Sequence, residues 1–360
     1  KGNLWVAWDF LTTGFGRQDV IRCDQLATLQ ERLDGIIAAD VSYFGDFQPR
    51  PDDSAKLDVM VYAIVDEGYF EPAFPFNVSG FFWPSLNRAL DTNTIFLDSY
   101  DWTGRLGPFA AHPNEYEATL AHALEHLIHS DHDPDEAAWV DEGLADLAGF
   151  LNGFGHPESA IVYYLAHHRT SLTVWDGGLE SQGASYLFQL YLLENFGKRN
   201  GKWDTSWTRA MVNEGLNSIA GIQARTGRTM NELYDAWVLA NYLDRPDLKT
   251  AGGLLLGYRE IDLAPFVSRD FSPWSIQRAI AETYGAERRS NLPVSRLFGG
   301  YQAGLGEPGS GSLPPYAPLY SSFRDMEPLM SVRLRGDMVS GVAPHGGYSQ
   351  VASGVGNMLI

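Results

Sequence analysis

The chain has 360 residues, 44% of them hydrophobic and 13% aromatic, and it carries a formal net charge of −19. This composition excludes a disordered chain and a simple repeat protein, and the acidic balance argues against nucleic acid and anionic membrane surfaces as partners. The sequence contains no run of about 18 apolar residues, so we expect no insertion into a membrane.

Cysteine content and amino-acid composition bear on the cellular compartment of the protein. The single cysteine, Cys23, cannot form an internal disulfide, which fits the cytosol or a bacterial exterior equally well. The chain begins directly at Lys1, as a mature or trimmed chain would. Few lysines, 37 glycines, 10 tryptophans and 17 tyrosines are typical of secreted bacterial enzymes. We therefore expect a secreted bacterial protein.

The N-terminal third combines strand and helix patterns. Apolar and β-branched runs predict strands over 2–10, 57–66 and 93–99, and helical apolar spacing predicts a helix over 25–40. Pro113 and Asn114 then precede a long helical pattern over 116–130. A strand thus precedes a helix that carries several histidines.

The middle of the chain is predicted to be helical, and its last third is not. After the turn-rich stretch 131–135, helices are expected over 136–150, 160–168, 183–196 and 230–242. Beyond about 247, glycine, proline and serine alternate with short apolar runs. We predict an α+β fold in three parts: an α/β part with the histidine-bearing helix, a helical part, and a loop- and β-rich part, at 1–130, 131–247 and 248–360.

The predicted helix 116–130 contains a candidate metal site. His122 and His126 are four residues apart, so their imidazoles project from one helix face and can share an ion such as zinc. Two histidines at this spacing also occur by chance as ordinary surface or core residues. A structural zinc site would close its fourth position with another side chain, usually cysteine, and Cys23 is remote, so a catalytic site with three protein ligands and a position for water is favoured.

Two segments give this pair a context. Residues 119–129 read TLAHALEHLIH, and residues 139–148 read WVDEGLADLA. Together they resemble the gluzincin group of zinc metallopeptidases, and within it the hyicolysin-like secreted bacterial peptidases. Members of the group carry an HExxH helix and then a helix whose glutamate is the third zinc ligand. The resemblance implies that Glu142 is the third ligand.

The resemblance extends over roughly half of the chain, from about residue 93 to residue 242, and includes the segments 183–197 and 235–242. In thermolysin-like gluzincins an aspartate one turn after the ligand glutamate supports a ligand histidine, which implies that role for Asp146; a solvated helix acid is the alternative. Tyr186 is a candidate donor to the transition state, with a packed core aromatic as the alternative.

The position that normally carries the catalytic glutamate is occupied by Ala123. Loss of a positioned general base lowers the rate roughly 10²- to 10⁴-fold, so the chain as given is expected to bind zinc but to cleave poorly. Either an engineered glutamate-to-alanine change or a naturally inactive protein explains this residue. The otherwise complete motif favours engineering.

Two other zinc motifs overlap the same helix. In the inverted HxxEH motif Glu125 would be the base, and the third ligand would lie further downstream, for example at Glu194 or Glu214. The metzincin pattern would use His132 as third ligand, but His129 stands where that pattern requires glycine.

The predicted function is that of a zinc-dependent endopeptidase acting on polypeptide or glycoprotein substrates, in a form inactivated at position 123. The alternative is a zinc-containing binding protein that recognises protein or glycan without cleaving it. The acidic stretch 131–136 could in addition hold calcium, with a solvated turn as the alternative.

Overall fold

The structure is a computed structural model. It describes these parts of the chain: residues 2–7, 21–50, 56–66, 77–168, 170–268, 316–318, 322–326, 349–350 and 356–359. Helices and small sheets are mixed along the chain, as the predicted α+β class requires.

The helices of the described residues are α1 (Cys23–Phe44), α2 (Pro84–Leu90), α3 (Trp102–Arg105), α4 (Glu115–His132), α5 (Ala138–Leu151), α6 (Glu158–Ala166), α7 (Leu179–Phe196), α8 (Thr205–Val212), α9 (Ile219–Thr226), α10 (Met230–Leu243) and α11 (Ala264–Ser268). The strands are β1 (Gly2–Val6), β2 (Leu57–Tyr62), β3 (Gly80–Phe82), β4 (Thr94–Asp98), β5 (Lys198–Arg199), β6 (Lys202–Trp203), β7 (Arg245–Lys249), β8 (Leu255–Leu256), β9 (Ser322–Met326), β10 (Ser349–Gln350) and β11 (Gly356–Leu359). None of these helices is long and apolar enough to cross a membrane.

A four-stranded sheet with the order β1-β2-β4-β3 forms the N-terminal layer. The strands β1, β2 and β4 are parallel, and β3 is an antiparallel edge strand. Alternation sets the buried face: Leu57, Val59 and Val61 of β2 are buried, whereas Met60 between them is exposed. The helix α1 packs on β1, and α4 packs on β3 and β4, so the sheet supports the histidine-bearing helix.

The helical layer follows directly in the chain. The helix α5 packs between α4 and α7, and α7 also packs against α6. Trp139 of α5, Phe188 of α7 and Trp237 of α10 are buried, and Phe188 contacts the first ring in a tilted and the second in an edge-to-face arrangement. The large aromatic side chains thus hold the helices that surround α5.

The predicted strands at 2–10, 57–66 and 93–99 and all the predicted helices correspond to elements of the structure, with shifted ends. For the first strand the structure describes only residues 2–7. The sequence patterns did not predict β3 or the short helices α2, α3, α8 and α9. Each is shorter than the span over which hydrophobic periodicity becomes distinct.

The predicted boundaries between the three parts, after residues 130 and 247, each fall within an element of the structure. The helix α4 continues past residue 130, and the helical layer lasts until α10 ends at Leu243, after which β7 and β8 pair. Most of 269–360 lies outside the described residues. The described pieces there include a three-stranded antiparallel sheet of β9, β10 and β11, and Tyr316, which contacts the helical layer at Tyr234.

Candidate metal centre

The helix α4 presents one face to the core and another to the site. Leu120, Leu124, Leu127 and Ile128 are buried, and they anchor the helix against the sheet and the neighbouring helices. Acidic residues in its first turn complement the positive end of the helix dipole; among them, Glu117 is bound by Arg32. This anchoring fixes the direction in which the histidines project.

The helix α5 brings three carboxylates to the same place. Its buried positions, including Trp139 and Leu144, face the core. Asp141, Glu142 and Asp146 lie towards α4, and the four-residue spacing of Glu142 and Asp146 places them on one face, one turn apart. Two antiparallel-packed helices therefore supply all the polar groups of the site.

Three ligand atoms converge between these helices. The Nε2 atoms of His122 and His126 are 3.0 Å apart, and each lies 3.6 Å from Oε2 of Glu142. A point equidistant from the three atoms lies about 2 Å from each, which is the bond length of a transition metal to nitrogen or oxygen. The three side chains are 14–25% exposed, so the group is open to solvent on one side.

Each histidine is oriented from behind by a carboxylate. Nδ1 of His122 lies 2.9 Å from Oδ1 of Asp146, and Nδ1 of His126 lies 3.0 Å from Oδ1 of Asp141. A carboxylate only accepts hydrogen bonds, so each Nδ1 carries the proton, and in the neutral rings each Nε2 carries a lone pair. This tautomer is the one that binds a metal through Nε2.

These groups fit a cation chemically. Two lone pairs at 3.0 Å and the Glu142 carboxylate repel one another unless a proton or a cation lies between them. Three carboxylates surround two imidazoles, which leaves negative charge to be neutralised. A divalent ion at the centre of the three ligand atoms would satisfy all of them at once.

The pKa values reflect the same crowding of opposite charges. Burial disfavours the carboxylate of Glu142, but the His126 and His122 rings outweigh this effect and lower the pKa of Glu142. Burial likewise opposes ionisation of Asp141, and His126 and His129 nevertheless lower its pKa. Both carboxylates are therefore ionised at neutral pH.

A second group, Glu125, His126 and Asp141, also has ligand atoms close enough to share a cation. Glu125, however, is fully buried, and its Oε1 lies 3.3 Å from Nδ1 of His129. Nδ1 of His126 already contacts Asp141. This group therefore lies behind the His126 ring, on the side away from the three converging ligand atoms.

The position of Glu125 bears on its alternative role as the general base of the inverted motif. Its carboxylate has no contact with solvent, and burial raises its pKa although His129 opposes the shift. The downstream ligand that the inverted motif would use at Glu194 is engaged elsewhere, since its carboxylate accepts hydrogen bonds from the backbone N–H groups of Arg259 and Glu260. Within the described part of the chain, Glu214 belongs to no group that could share a cation.

The metzincin pattern receives no support from the histidines that it would need. Nε2 of His132 lies 2.8 Å from the backbone oxygen of Asp46, so this ring is engaged with the loop after α1. His129 is 1% exposed and contacts Glu125 and Asp141. Neither ring joins His122 and His126.

Ala123 and Tyr186 are both buried. Ala123 is 1% exposed and follows His122 directly on α4. The phenol of Tyr186 is fully buried, and its hydroxyl is hydrogen bonded to Nδ1 of His156, whose Nε2 lies 3.1 Å from the backbone oxygen of Glu260. The structure thus places Tyr186 in the packed aromatic position that was the alternative to a transition-state donor.

Two carboxylates of the acidic stretch 131–136, those of Asp131 and Glu136, have partners within the fold. Asp131 binds Arg50 at 2.9 Å and accepts a hydrogen bond from the backbone of Gln48, and Glu136 accepts one from the backbone of Ser218 at 2.7 Å. In the regions that the structure describes, no group that could hold a metal ion includes these residues. A calcium site in this stretch stays a prediction.

The contacts behind His126 were not predicted from the sequence. The available signal for Asp141 was its position in the segment WVDE, directly before the ligand candidate Glu142. The pair Glu125 and His129 has the same four-residue spacing as His122 and His126. Its complete burial could not be foreseen, because glutamate is rarely fully buried and histidine is intermediate in burial.

Searches of protein-family models and of curated proteins found no match to this chain.

Proposed function

We propose that this chain carries the metal centre of a gluzincin-type zinc metallopeptidase, with zinc bound by His122, His126 and Glu142. The observation that carries the proposal is the convergence of three ligand atoms whose two imidazoles are each oriented from behind by a carboxylate. Two nitrogens and one carboxylate oxygen are a ligand set that zinc uses in hydrolytic sites.

The surroundings support a hydrolytic rather than a structural site. Among the residues that the structure describes, three protein ligands converge, and their side chains are partly exposed, which leaves room for a substrate and a water molecule. The only cysteine, Cys23, is exposed on α1, outside the group. An edge strand, β3, packs directly against α4, the helix that carries both histidines.

Zinc held at this position would lower the pKa of a bound water and polarise a substrate carbonyl. The residues of the chain orient the ligands: Asp146 and Asp141 fix the rings, and Glu142 contributes negative charge. A general base is also required, and alanine at position 123 can neither accept a proton nor pass it to a leaving amine. A glutamate there would supply that function, so we propose that the active form of this chain carries glutamate at 123.

We propose polypeptides or glycoproteins as substrates and secretion from a bacterial cell as the location. The acidic net charge of the chain fits partners other than polyanions.

A second candidate function is a zinc-containing binding protein that recognises protein or glycan without cleaving it. Ala123 itself favours this candidate, because a binding protein has no need for a general base.

The two candidates are separated by restoring the base. Proteolysis of an unfolded generic protein is measured for the chain as given, for Ala123→Glu and for Ala123→Gln, and zinc content is determined for each. The glutamine variant is the matched control, because it fills the same space but does not act as a base. We expect chelator-sensitive cleavage with Ala123→Glu alone, at least about 10²-fold above the other two proteins.

Other outcomes of this experiment identify other functions. Equal chelator-sensitive activity in all three proteins would show that the general base is a residue other than the one at position 123. Zinc binding without activity in any of them would support the binding protein. A chain that binds no zinc would contradict the proposed metal centre.

A further inference from the structure

Behind His126 lies a buried polar cluster that the proposed function does not use directly. It consists of Glu125 and His129 of α4 and Asp141 of α5. Glu125 is 0% and His129 is 1% exposed. Nδ1 of His129 lies 3.3 Å from Oε1 of Glu125 and 3.2 Å from Oδ1 of Asp141.

The same oxygen of Asp141 connects this cluster to the metal centre. Oδ1 of Asp141 lies 3.2 Å from His129 Nδ1 and 3.0 Å from His126 Nδ1. A continuous series of contacts therefore runs from Glu125 through His129 and Asp141 to His126. Any displacement of His129 removes a contact from the carboxylate that orients His126.

The protonation of His129 follows from its neighbours. Two carboxylate oxygens face its Nδ1, and they would repel a lone pair, so this nitrogen carries a proton. Two buried carboxylates also require a nearby positive charge, since an unpaired buried charge costs several kcal/mol. Among the described residues, neither Glu125 oxygen has a hydrogen-bond partner, and the contact with His129 is an ion-pair contact at 3.3 Å. His129 is thus the partner of both acids.

A cluster of this kind contributes little to stability by itself. Apolar residues of similar volume often replace a buried ion pair without loss of stability, so a role in fold stability does not explain its presence. A role in orientation does, because metal-binding histidines depend on the groups that hold their second ring nitrogen.

We propose that His129 is a positioning residue for the metal centre, which holds Asp141 in place so that Nε2 of His126 points at the metal position. Glu125 fixes His129 from the opposite side. This inference rests on the proposed function, since it takes His126 as a metal ligand.

Zinc affinity, measured by competition with a chromophoric chelator, tests the proposal. The proteins are the parent chain, His129→Gln, Asp141→Ala and the double variant, with His132→Gln as control. His132 is on the same helix, but its ring contacts the backbone of Asp46. We expect His129→Gln and Asp141→Ala each to weaken zinc binding about 10- to 100-fold, and His132→Gln to leave it unchanged.

The double variant distinguishes a positioning role of His129 from a general effect of its substitution on folding. If His129 acts through Asp141, the double variant binds zinc no more than about twofold more weakly than Asp141→Ala alone. Fully additive losses would overturn the proposal, as would a zinc affinity of His129→Gln equal to that of the parent. A second zinc ion that the parent binds and Asp141→Ala loses would also overturn it, because Asp141 would then be a ligand itself.

A measurement on the parent chain covers the case in which His129→Gln does not fold. The ¹⁵N spectrum of the histidine rings must show a protonated Nδ1 on His129, in the metal-free and the zinc-loaded protein alike. A non-protonated Nδ1 would overturn the proposal. A parent that binds no zinc would contradict the metal centre, whereas a parent that binds zinc with an unaffected His129→Gln variant would contradict only the positioning role.

Discussion

At the scale of single residues, the proposed metal centre is defined by how each imidazole uses its two nitrogens. In both His122 and His126 one nitrogen contacts a carboxylate of α5 and the other points at the shared centre. Asp146 and Asp141 therefore determine the geometry as much as the ligands do. Asp146 is only 12% exposed, so water cannot readily replace its contact with His122.

Removal of Asp146 tests this dependence. We expect Asp146→Ala to weaken zinc binding about 10- to 100-fold, because His122 loses the acceptor that fixes its tautomer and ring orientation. Zinc affinity by chelator competition is the measurement. Asp24→Ala is the control, since Asp24 is an exposed acid paired with Arg22 at the start of α1. Equal affinities of the two variants would show that His122 needs no support from Asp146.

At the scale of elements, the site depends on how closely α5 approaches its neighbours. Gly143, directly after Glu142, faces α7: a Cβ atom at this position would lie 2.7 Å from the backbone oxygen of Ser185 and from Cγ of Gln189. Gly149 faces Ala118 of α4, and a Cβ there would lie at an ordinary 3.5 Å. One glycine is thus required by a close helix contact, and the other is not.

Alanine substitutions at these two glycines are a matched pair on one helix. Gly143→Ala is expected to destabilise the fold by about 1–3 kcal/mol, because α5 and α7 must separate to admit the methyl group. Gly149→Ala is expected to be neutral or to stabilise by up to about 1 kcal/mol, because alanine favours the helix and finds space. Denaturant unfolding of both variants provides the free energies. A stable Gly143→Ala variant would mean that the helices are not in close contact there.

At the scale of the whole molecule, the sequence predicted some features well and others poorly. Apolar periodicity located α1, α4, α5 and β2, because each is long or strongly alternating. Spacing on one helix predicted that His122 and His126 share a centre, and the structure brings them together. It could not show that Glu125 and His129 are buried or that Asp141 reaches His126, because those contacts depend on how α4 and α5 pack.

The packing also explains why the role of Tyr186 could not be predicted from the residues around it in the sequence alone. Its helix, α7, is buried on nearly all sides, so the pattern of apolar residues around Tyr186 does not distinguish a cleft from the core. Only the contact with His156 shows that the hydroxyl is engaged inside the fold.

Metal binding should couple to the stability of the whole fold, because the ligands come from α4, which packs on the sheet, and from α5, which packs in the helical layer. Zinc that binds only the folded chain is expected to stabilise it by about 2.7 kcal/mol when free zinc is about 100-fold above its dissociation constant. Thermal unfolding with zinc and with excess chelator gives the measurement. The unfolding temperature should fall when the metal is removed and recover when zinc is added back.

The matched control is His122→Ala, which removes a ligand at a partly exposed position. Its unfolding temperature should be the same with zinc and with chelator, because the remaining imidazole and carboxylate do not form a three-ligand site. A zinc-dependent shift of equal size in the parent and in this variant would place the bound metal elsewhere in the chain. A shift in the parent alone would connect the stability of the two helices to the three residues that converge between them.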